Sequence, residues 1–302
     1  MKKIVISGAT GLVGKKITQQ LIRRGDDVTV LTRSIKNAKE LLPGAHSYIE
    51  WNSSNSDWQF CLEGKDAVIN LAGENLMAKR WNEIHKKNIL ESRVKGTRAL
   101  VRAIENLNKK PEIFISASAV GFYGNSETAV NEESKMGNGF LAKVVDAWES
   151  ESMVVEQFGV RRVNVRLGAV LDKNEGAFPQ LYKPFKFFAG GALGNGKQWF
   201  PWIHIDDVTG IFLYALDNKN VKGVYNAVSP VPIRMADFCK TLGKIMHRPS
   251  FFNVPEFILK IIFGEGADVL LNGTNVLPER TIDAGYVFKY PELTSALKSL
   301  LY

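Results

Sequence analysis

The sequence predicts an α/β fold, a doubly wound parallel sheet with a smaller α+β cap, on three observations. Short β-branched runs alternate with long helical patterns through the first 170 residues. A glycine-rich turn, Gly8-Ala9-Thr10-Gly11-Leu12-Val13-Gly14, joins the first apolar run to the first helical one. Beyond residue 170 the pattern gives way to glycine-, proline- and aromatic-rich segments such as Phe188-Ala189-Gly190-Gly191-Ala192-Leu193-Gly194-Asn195-Gly196. The expected organisation is one domain over residues 1–170, to which elements of 200–228 return, and a cap formed mainly by 171–302.

From the N-terminus, strands are expected at Lys3 to Ser7, Asp27 to Thr32, Ser47 to Trp51, Ala67 to Leu71, Glu112 to Ala117 and Arg162 to Leu167. Most are continuous apolar runs, the pattern of strands covered by helices on both faces. Helices are expected near Leu12 to Arg24, Lys36 to Leu41, Arg80 to Leu107 and Leu141 to Phe158. In the third, Ile84, Ile89, Val94, Leu100, Val101 and Ile104 recur at roughly helical spacing. The cap should hold helices near Asp206 to Leu216, Met235 to Met246 and Glu292 to Leu301. Its most apolar stretch, Phe257 to Phe263, is too short to span a bilayer, carries Lys260 in its middle and reads as a buried helix.

Composition narrows the function classes. The 302 residues are 45% hydrophobic and 23% charged, ordinary for a globular chain. The net charge of +8 comes from Lys and Arg scattered along the chain, which fits a solvated surface with a phosphate-binding cleft better than a nucleic-acid partner. Two distant cysteines, Cys61 and Cys239, offer neither a disulfide framework nor a zinc site, so no metal is expected. Cysteine usage fits a reducing, cytoplasmic setting. Met1-Lys2-Lys3 imitates the charged end of a signal peptide, but Ile4-Val5-Ile6 is too short an apolar run to continue one, and no membrane partner is expected.

The glycine-rich turn gains its meaning from context, because it follows an apolar strand and opens an amphipathic helix, as in a Rossmann dinucleotide site. Gly8 permits the tight turn, Gly11 lets backbone N–H groups approach a pyrophosphate, and Gly14 lets helix and strand pack closely. The helix N-terminus, through Thr10, Leu12 and Val13, supplies N–H donors and partial positive charge. At the end of the second strand, where a carboxylate would select NAD, the chain reads Thr32-Arg33-Ser34. A basic residue there favours a 2′-phosphate, hence NADP(H) over NAD(H), although Arg33 also reads as a solvated surface residue.

Further segments carry a family resemblance. Asn70-Leu71-Ala72-Gly73, Arg93-Val94-Lys95-Gly96-Thr97, Ser116-Ala117-Ser118 with Tyr123-Gly124, and Trp202-Ile203-His204-Ile205-Asp206-Asp207 resemble the extended short-chain dehydrogenase/reductase superfamily. More narrowly, Leu71-Ala72-Gly73-Glu74-Asn75, Arg80-Trp81, Trp148-Glu149, Arg166-Leu167-Gly168 and Pro278-Glu279-Arg280 resemble an atypical branch, the epimerase family with its own DUF1731-like C-terminal domain. The resemblance spans essentially the whole chain. It implies hydride transfer at a nicotinamide, with a tyrosine as acid/base and a lysine four residues on that lowers its pKa from near 10.

That pair is missing, since Phe140 and Val144 stand where the tyrosine and lysine belong. Tyr182 and Lys186 have the right spacing but flank Pro184 beyond the sixth strand, and Lys143, one residue out of step, would have no phenol to activate. Ser118 is the expected substrate-orienting serine, and Tyr123, on the same loop, is a candidate substitute acid as well as a candidate structural residue. Backbone groups over Arg166 to Val170, including Leu167 and Gly168, should line the nicotinamide side with Leu71, Ala72 and Gly73. Glu74 is expected at the mouth of the cleft, and Arg93 either binds an anionic substrate, touches cofactor or pairs with Glu91 or Glu149. His204, in an alternating strand-like setting, is read as structural. Two functions remain open. One is an NADP(H)-dependent oxidoreductase or epimerase acting on a small or sugar-like molecule. The other is a non-catalytic NADP(H)-binding structural or sensor protein, a reading to which the resemblance adds a link with cell division in some relatives. The helices at Arg80 to Leu107 and Leu141 to Phe158 are those that relatives pair into homodimers.

Overall fold

The computed structural model describes residues 1–52 and 56–302. From the N-terminus the chain forms β1 (Lys3–Ser7), α1 (Leu12–Arg23), β2 (Asp27–Thr32), α2 (Ile35–Leu41), β3 (Ser47–Glu50), β4 (Ala67–Asn70), α3 (Glu83–Glu105) and β5 (Ile113–Ala119). There follow β6 (Ser126–Val130), α4 (Phe140–Met153), β7 (Arg161–Leu167), β8 (Ala169–Leu171), α5 (Phe178–Lys186), β9 (Trp202–His204), α6 (Ile205–Asp217) and β10 (Gly223–Ala227). The C-terminal part adds α7 (Met235–Met246), α8 (Glu256–Phe263), α9 (Asp268–Leu271), β11 (Thr274–Val276), α10 (Glu279–Asp283) and α11 (Leu293–Leu301).

Seven strands form one all-parallel sheet in the order β10-β7-β5-β4-β1-β2-β3. The order reverses between β1 and β4, so a crevice opens above their C-terminal ends, the place where such sheets bind ligands. Burial of both faces follows from the strand sequences. In β1, Ile4 and Ile6 join Ile17, Leu21, Val208 and Phe212 on one side, while Val5 joins Val68, Leu100, Ile104 and Phe114 on the other. A doubly wound α/β architecture is therefore what the alternating runs encode.

Side chains fix where several helices begin. Asn82 caps α3 by accepting from the backbone N–H of His85 at 2.8 Å, which starts this helix three residues later than the periodicity suggests. Helix α4 ends at Met153, and the rest of the expected run to Phe158 tightens into a 3₁₀ turn. The cap buries Phe178, Phe185, Trp202, Phe238, Leu242 and Leu297 in its own core. It is largely helical, with the short pairs β8–β9 and β6–β11 at its junction with the sheet.

One sequence expectation is overturned. The Phe257 to Phe263 run is helical as α8, but only Leu259 is buried, and Phe257, Ile261 and Ile262 are 63%, 68% and 53% exposed. Among the described residues no other element covers that face, so an apolar run of this length did not by itself determine burial. Among the described residues no helix is long and apolar enough to cross a membrane, and no cluster of three metal-ligating side chains occurs.

Candidate functional site

The glycine turn lies at the reversal point of the sheet. Gly8 has a φ of +71°, and a Cβ on it would lie 2.6 Å from the carbonyl carbon of Leu71, at the end of β4. A Cβ on Gly14 would lie 2.2 Å from the carbonyl oxygen of Gly8. Both glycines are thus required by the packing of the turn itself. Gly11 is different, because its φ of −78° is ordinary, it is exposed, and a Cβ there would sit 3.4 Å from the Gly8 carbonyl, a normal contact. The bare face of Gly11 is therefore open to solvent. Among the described residues no side chain caps α1, and no acid lies in its first turn, so the N–H groups there keep their capacity for an anion.

Beyond β2, Arg33 is exposed and makes no hydrogen bond or ion pair among the described residues. Next to it, Ser34 caps α2 by accepting from the N–H of Asn37. The cap anchors the turn that carries the free guanidinium. This donor set, a bare helix N-terminus with an unpaired cation at the end of the next strand, fits the diphosphate and 2′-phosphate of NADP(H). The remaining wall comes from Leu71, Ala72 and Gly73 after β4. A buried chain supports it, in which Ser7 donates to Asn70 at 2.7 Å and Asn70 donates to Thr97 at 2.9 Å. On the far side Leu167 is half-buried, and the Gly168 N–H already donates to the Ala227 carbonyl at 3.0 Å. A Cβ on Gly168 would collide with the Pro201 carbonyl at 2.4 Å, so this glycine has a packing role.

Ser118 and Tyr123 are brought together, but by a buried ionic network and not by an open cleft. The Ser118 hydroxyl donates to the Glu149 carboxylate. Arg166 donates from Nε at 2.9 Å and from Nη2 at 2.8 Å to the two oxygens of Glu149, and from Nη1 to the Tyr123 hydroxyl at 2.9 Å. That hydroxyl in turn donates to Asn226 at 2.8 Å. Tyr123 is only 3% exposed, and burial, partly offset by Arg166, raises its pKa. As built, the phenol is engaged on both sides and is held protonated. Glu149 and Asn226 are members that the sequence reading did not assign. The Trp148-Glu149 pair was visible, but its partner Arg166 lies on a different element.

Where a tyrosine and lysine would stand, the structure has an apolar wall. Val144 is buried with Trp81 and Ile89, and Phe140 packs edge-on against Trp81 with ring centres 5.5 Å apart. Lys143 points to solvent and brings no amine to the site. Tyr182 and Lys186 share α5, which continues through Pro184, and the ammonium stacks 4.9 Å from its own helix's ring. His204 is buried and caps α6 by accepting from the Asp206 N–H through Nδ1 at 3.1 Å, consistent with a structural role.

The two remaining ionisable groups are at the mouth of the cleft. Arg93 pairs with neither Glu91 nor Glu149, since Glu91 binds Lys95 and Glu149 is taken by Arg166. Its guanidinium lies over the Trp148 ring at 5.2 Å, packs against Gly73 with its central carbon 3.2 Å from where a Cβ would be, and donates once among the described residues, from Nη1 to the Ile89 carbonyl at 3.1 Å. Burial pulls its pKa down to about 10, with Glu74 acting weakly in the opposite sense. The Glu74 side chain, half-buried, makes no ion pair among the described residues, and its backbone N–H donates to Ser92.

Comparison with known proteins gives a consistent answer. Residues 4–227 match the NAD dependent epimerase/dehydratase family, and residues 254–300 match a domain of unknown function, DUF1731. The "Epimerase family protein SDR39U1 homolog, chloroplastic" of Arabidopsis thaliana is 39% identical over 301 residues, covering 99% of this chain and 86% of the relative. The Bacillus subtilis epimerase family protein YfhF is 37% identical over 300 residues, covering 99% and 97%. Human epimerase family protein SDR39U1, whose crystal structure was solved with NADPH, superposes with a TM-score of 0.87 at 34% identity, covering 99% and 98% of the two chains.

Proposed function

The chain belongs to the NAD dependent epimerase/dehydratase family, and on that premise we propose that it is an NADP(H)-binding oxidoreductase or epimerase acting on a small molecule without a tyrosine–lysine pair. The observation that carries the reading is the conjunction of a bare anion cradle at Gly11 with an unpaired Arg33 at the end of β2. NADPH in the similar human protein supports it. Gly8, Thr10, Gly11, Leu12, Val13 and Gly14 hold the diphosphate, Arg33 takes the 2′-phosphate, and the segments at Leu71 to Gly73 and Leu167 to Gly168 border the rest of the cofactor. Bound nicotinamide supplies a hydride donor or acceptor.

The chain's own residues orient and exclude water. Ser118 and Tyr123 act through Glu149 and Arg166 as a rigid floor, and Arg93 and Glu74 are the groups that meet substrate. A cytoplasmic setting and the absence of a nucleic-acid or membrane partner belong to the same proposal. The apolar wall at Phe140 and Val144 favours a second reading, in which NADP(H) is held as a structural or sensory ligand.

The test is a titration of NADPH and NADH into wild type and Arg33→Ala, followed by nicotinamide fluorescence. A charge-assisted contact is worth about 1.5–3 kcal/mol, roughly tenfold to a hundredfold in affinity. NADPH should bind more tightly by that factor and Arg33→Ala should abolish the difference. Equal wild-type affinities, or a preference for NADH, would sink the assignment. Oxidation of bound NADPH by added carbonyl compounds separates the enzyme from the sensor.

A further inference from the structure

A half-buried guanidinium without a carboxylate partner is unusual, because withdrawing a cation from water is costly unless its donors are used. Arg93 has five N–H groups and a single acceptor among the described residues, the Ile89 carbonyl. Buried Arg166 and Arg162, by contrast, are each paired with a carboxylate, Glu149 and Glu156 respectively. The chain also makes room for Arg93. Its guanidinium carbon lies 3.2 Å from where a Gly73 Cβ would be, a close contact that a side chain at position 73 would tighten. Trp148, whose indole N–H is fixed on Thr97 at 2.9 Å, supports it from below.

The neighbourhood of this cation is apolar. Ile89, which accepts its one hydrogen bond, belongs to the cluster of Trp81, Val144, Leu76 and Phe140 that replaces the proton-transfer pair. The Trp81 indole N–H is already used by the Leu76 carbonyl at 2.7 Å, and Lys86 is held by Glu83 and Glu265. The wall therefore offers mainly apolar surface, and the one ammonium beside it, Lys86 at 5.4 Å from the Phe140 ring centre, is already paired with two carboxylates among the described residues. Sugar hydroxyls buried against it would lose hydrogen bonds to water without replacement, which costs more than the contact returns.

We propose that Arg93 is a carboxylate-binding residue, and that the ligand of this cleft is a small acid with an apolar body lying against the Trp81–Phe140 wall. The inference rests on the reading that the adjoining cradle holds NADP(H). Planar guanidinium binds planar carboxylate through two parallel hydrogen bonds, and the free Nε and Nη2 of Arg93 provide that fork. Glu74, near but beyond ion-pair distance, then disfavours ligands with a second negative charge on that side.

The experiment measures binding to the full chain loaded with NADP⁺, by calorimetry, for wild type, Arg93→Gln and Arg93→Lys. The probes are phenylpyruvate and hydrocinnamate as acids, phenylacetone as the uncharged counterpart, and UDP-glucose as a nucleotide sugar. The acids should bind wild type at least about tenfold more tightly than phenylacetone does. Arg93→Gln should remove that advantage, and Arg93→Lys, which keeps the charge without the fork, should restore only part of it. NADP⁺ affinity should be unchanged in both variants, and this control keeps failure of the cofactor reading distinguishable. Equal binding of acids and phenylacetone, no binding of either acid, tighter binding of UDP-glucose, or an Arg93→Gln loss confined to NADP⁺ would each overturn the proposal. Should Arg93→Gln fail to fold, the same comparison of acids against phenylacetone in Arg93→Lys and wild type decides it.

Discussion

Three glycines in one turn answer to different demands. Gly8 is fixed by its positive φ and by Leu71, and Gly14 by the Gly8 carbonyl, whereas nothing among the described residues requires Gly11 to lack a Cβ. Gly11→Ala should therefore separate folding from ligand binding. Its effect on unfolding free energy should be about 1 kcal/mol or less, the ordinary difference at a helix cap. NADPH affinity should fall by at least about tenfold, because the added methyl would project into the proposed phosphate site. Paired denaturation and cofactor titrations check this, and a large stability loss would mean that the turn is tighter than the structure shows. Arg93 and Arg33 illustrate the converse, since both are identified by the partners they lack. The sequence located each cation, but could not show that Glu149 is committed to Arg166 and thus unavailable to Arg93.

At the scale of elements, α4 distinguishes this site. Phe140 and Val144 were readable as a departure from the tyrosine–lysine pattern, yet the sequence did not reveal what replaced the pair. The answer depends on α3 and the loop before it, which bring Ile89, Trp81 and Leu76 against α4. Val144→Lys should consequently not recreate a catalytic amine. An ammonium forced among Trp81 and Ile89 lacks a partner, and the variant should lose on the order of 3 kcal/mol of stability, measured by urea unfolding. An unchanged midpoint would show the wall to be open to water. The outward faces of α3 and α4 carry exposed Lys87, Lys95, Arg98, Arg102, Lys143 and Asp146. The same two helices also expose apolar Ile84 and Met153. Helix α8 is the opposite case, an apolar helix left uncovered, because its length and composition do not state which neighbours reach it.

For the whole molecule, the union of cap and sheet passes through His204. Its Nδ1 caps α6, its Nε2 meets Ser299 of α11 at 3.2 Å, and its ring lies 4.0 Å from that of Tyr290. Burial lowers its pKa below the usual 6.5, against the opposing pull of Asp206 and Asp207. The unfolded chain therefore binds the proton more readily than the folded one. The stabilising contribution is complete above the unfolded pKa and is lost as pH falls through the folded one. Unfolding free energy should decline as pH falls below about 6.5, and His204→Asn, which keeps a cap acceptor, should flatten that slope. A slope unchanged in the variant would assign the pH dependence to other groups.

The sequence by itself determined the parallel sheet, the glycine cradle at its first turn, the basic residue after β2 and the missing tyrosine–lysine pair. These are local or periodic features, set by strand burial on both faces and by turn geometry, and they need few long-range contacts to be recognised. Tertiary structure alone decided how the polar residues pair. Ser118, Tyr123, Glu149, Arg166 and Asn226 come from separate segments and meet only when β5, α4, β7 and β10 are assembled. A charge's role depends on its partner and on how far water is excluded, and both are set by packing between elements distant in sequence. For the same reason, the free cation of the cleft became visible as Arg93 only after every neighbouring carboxylate had been placed.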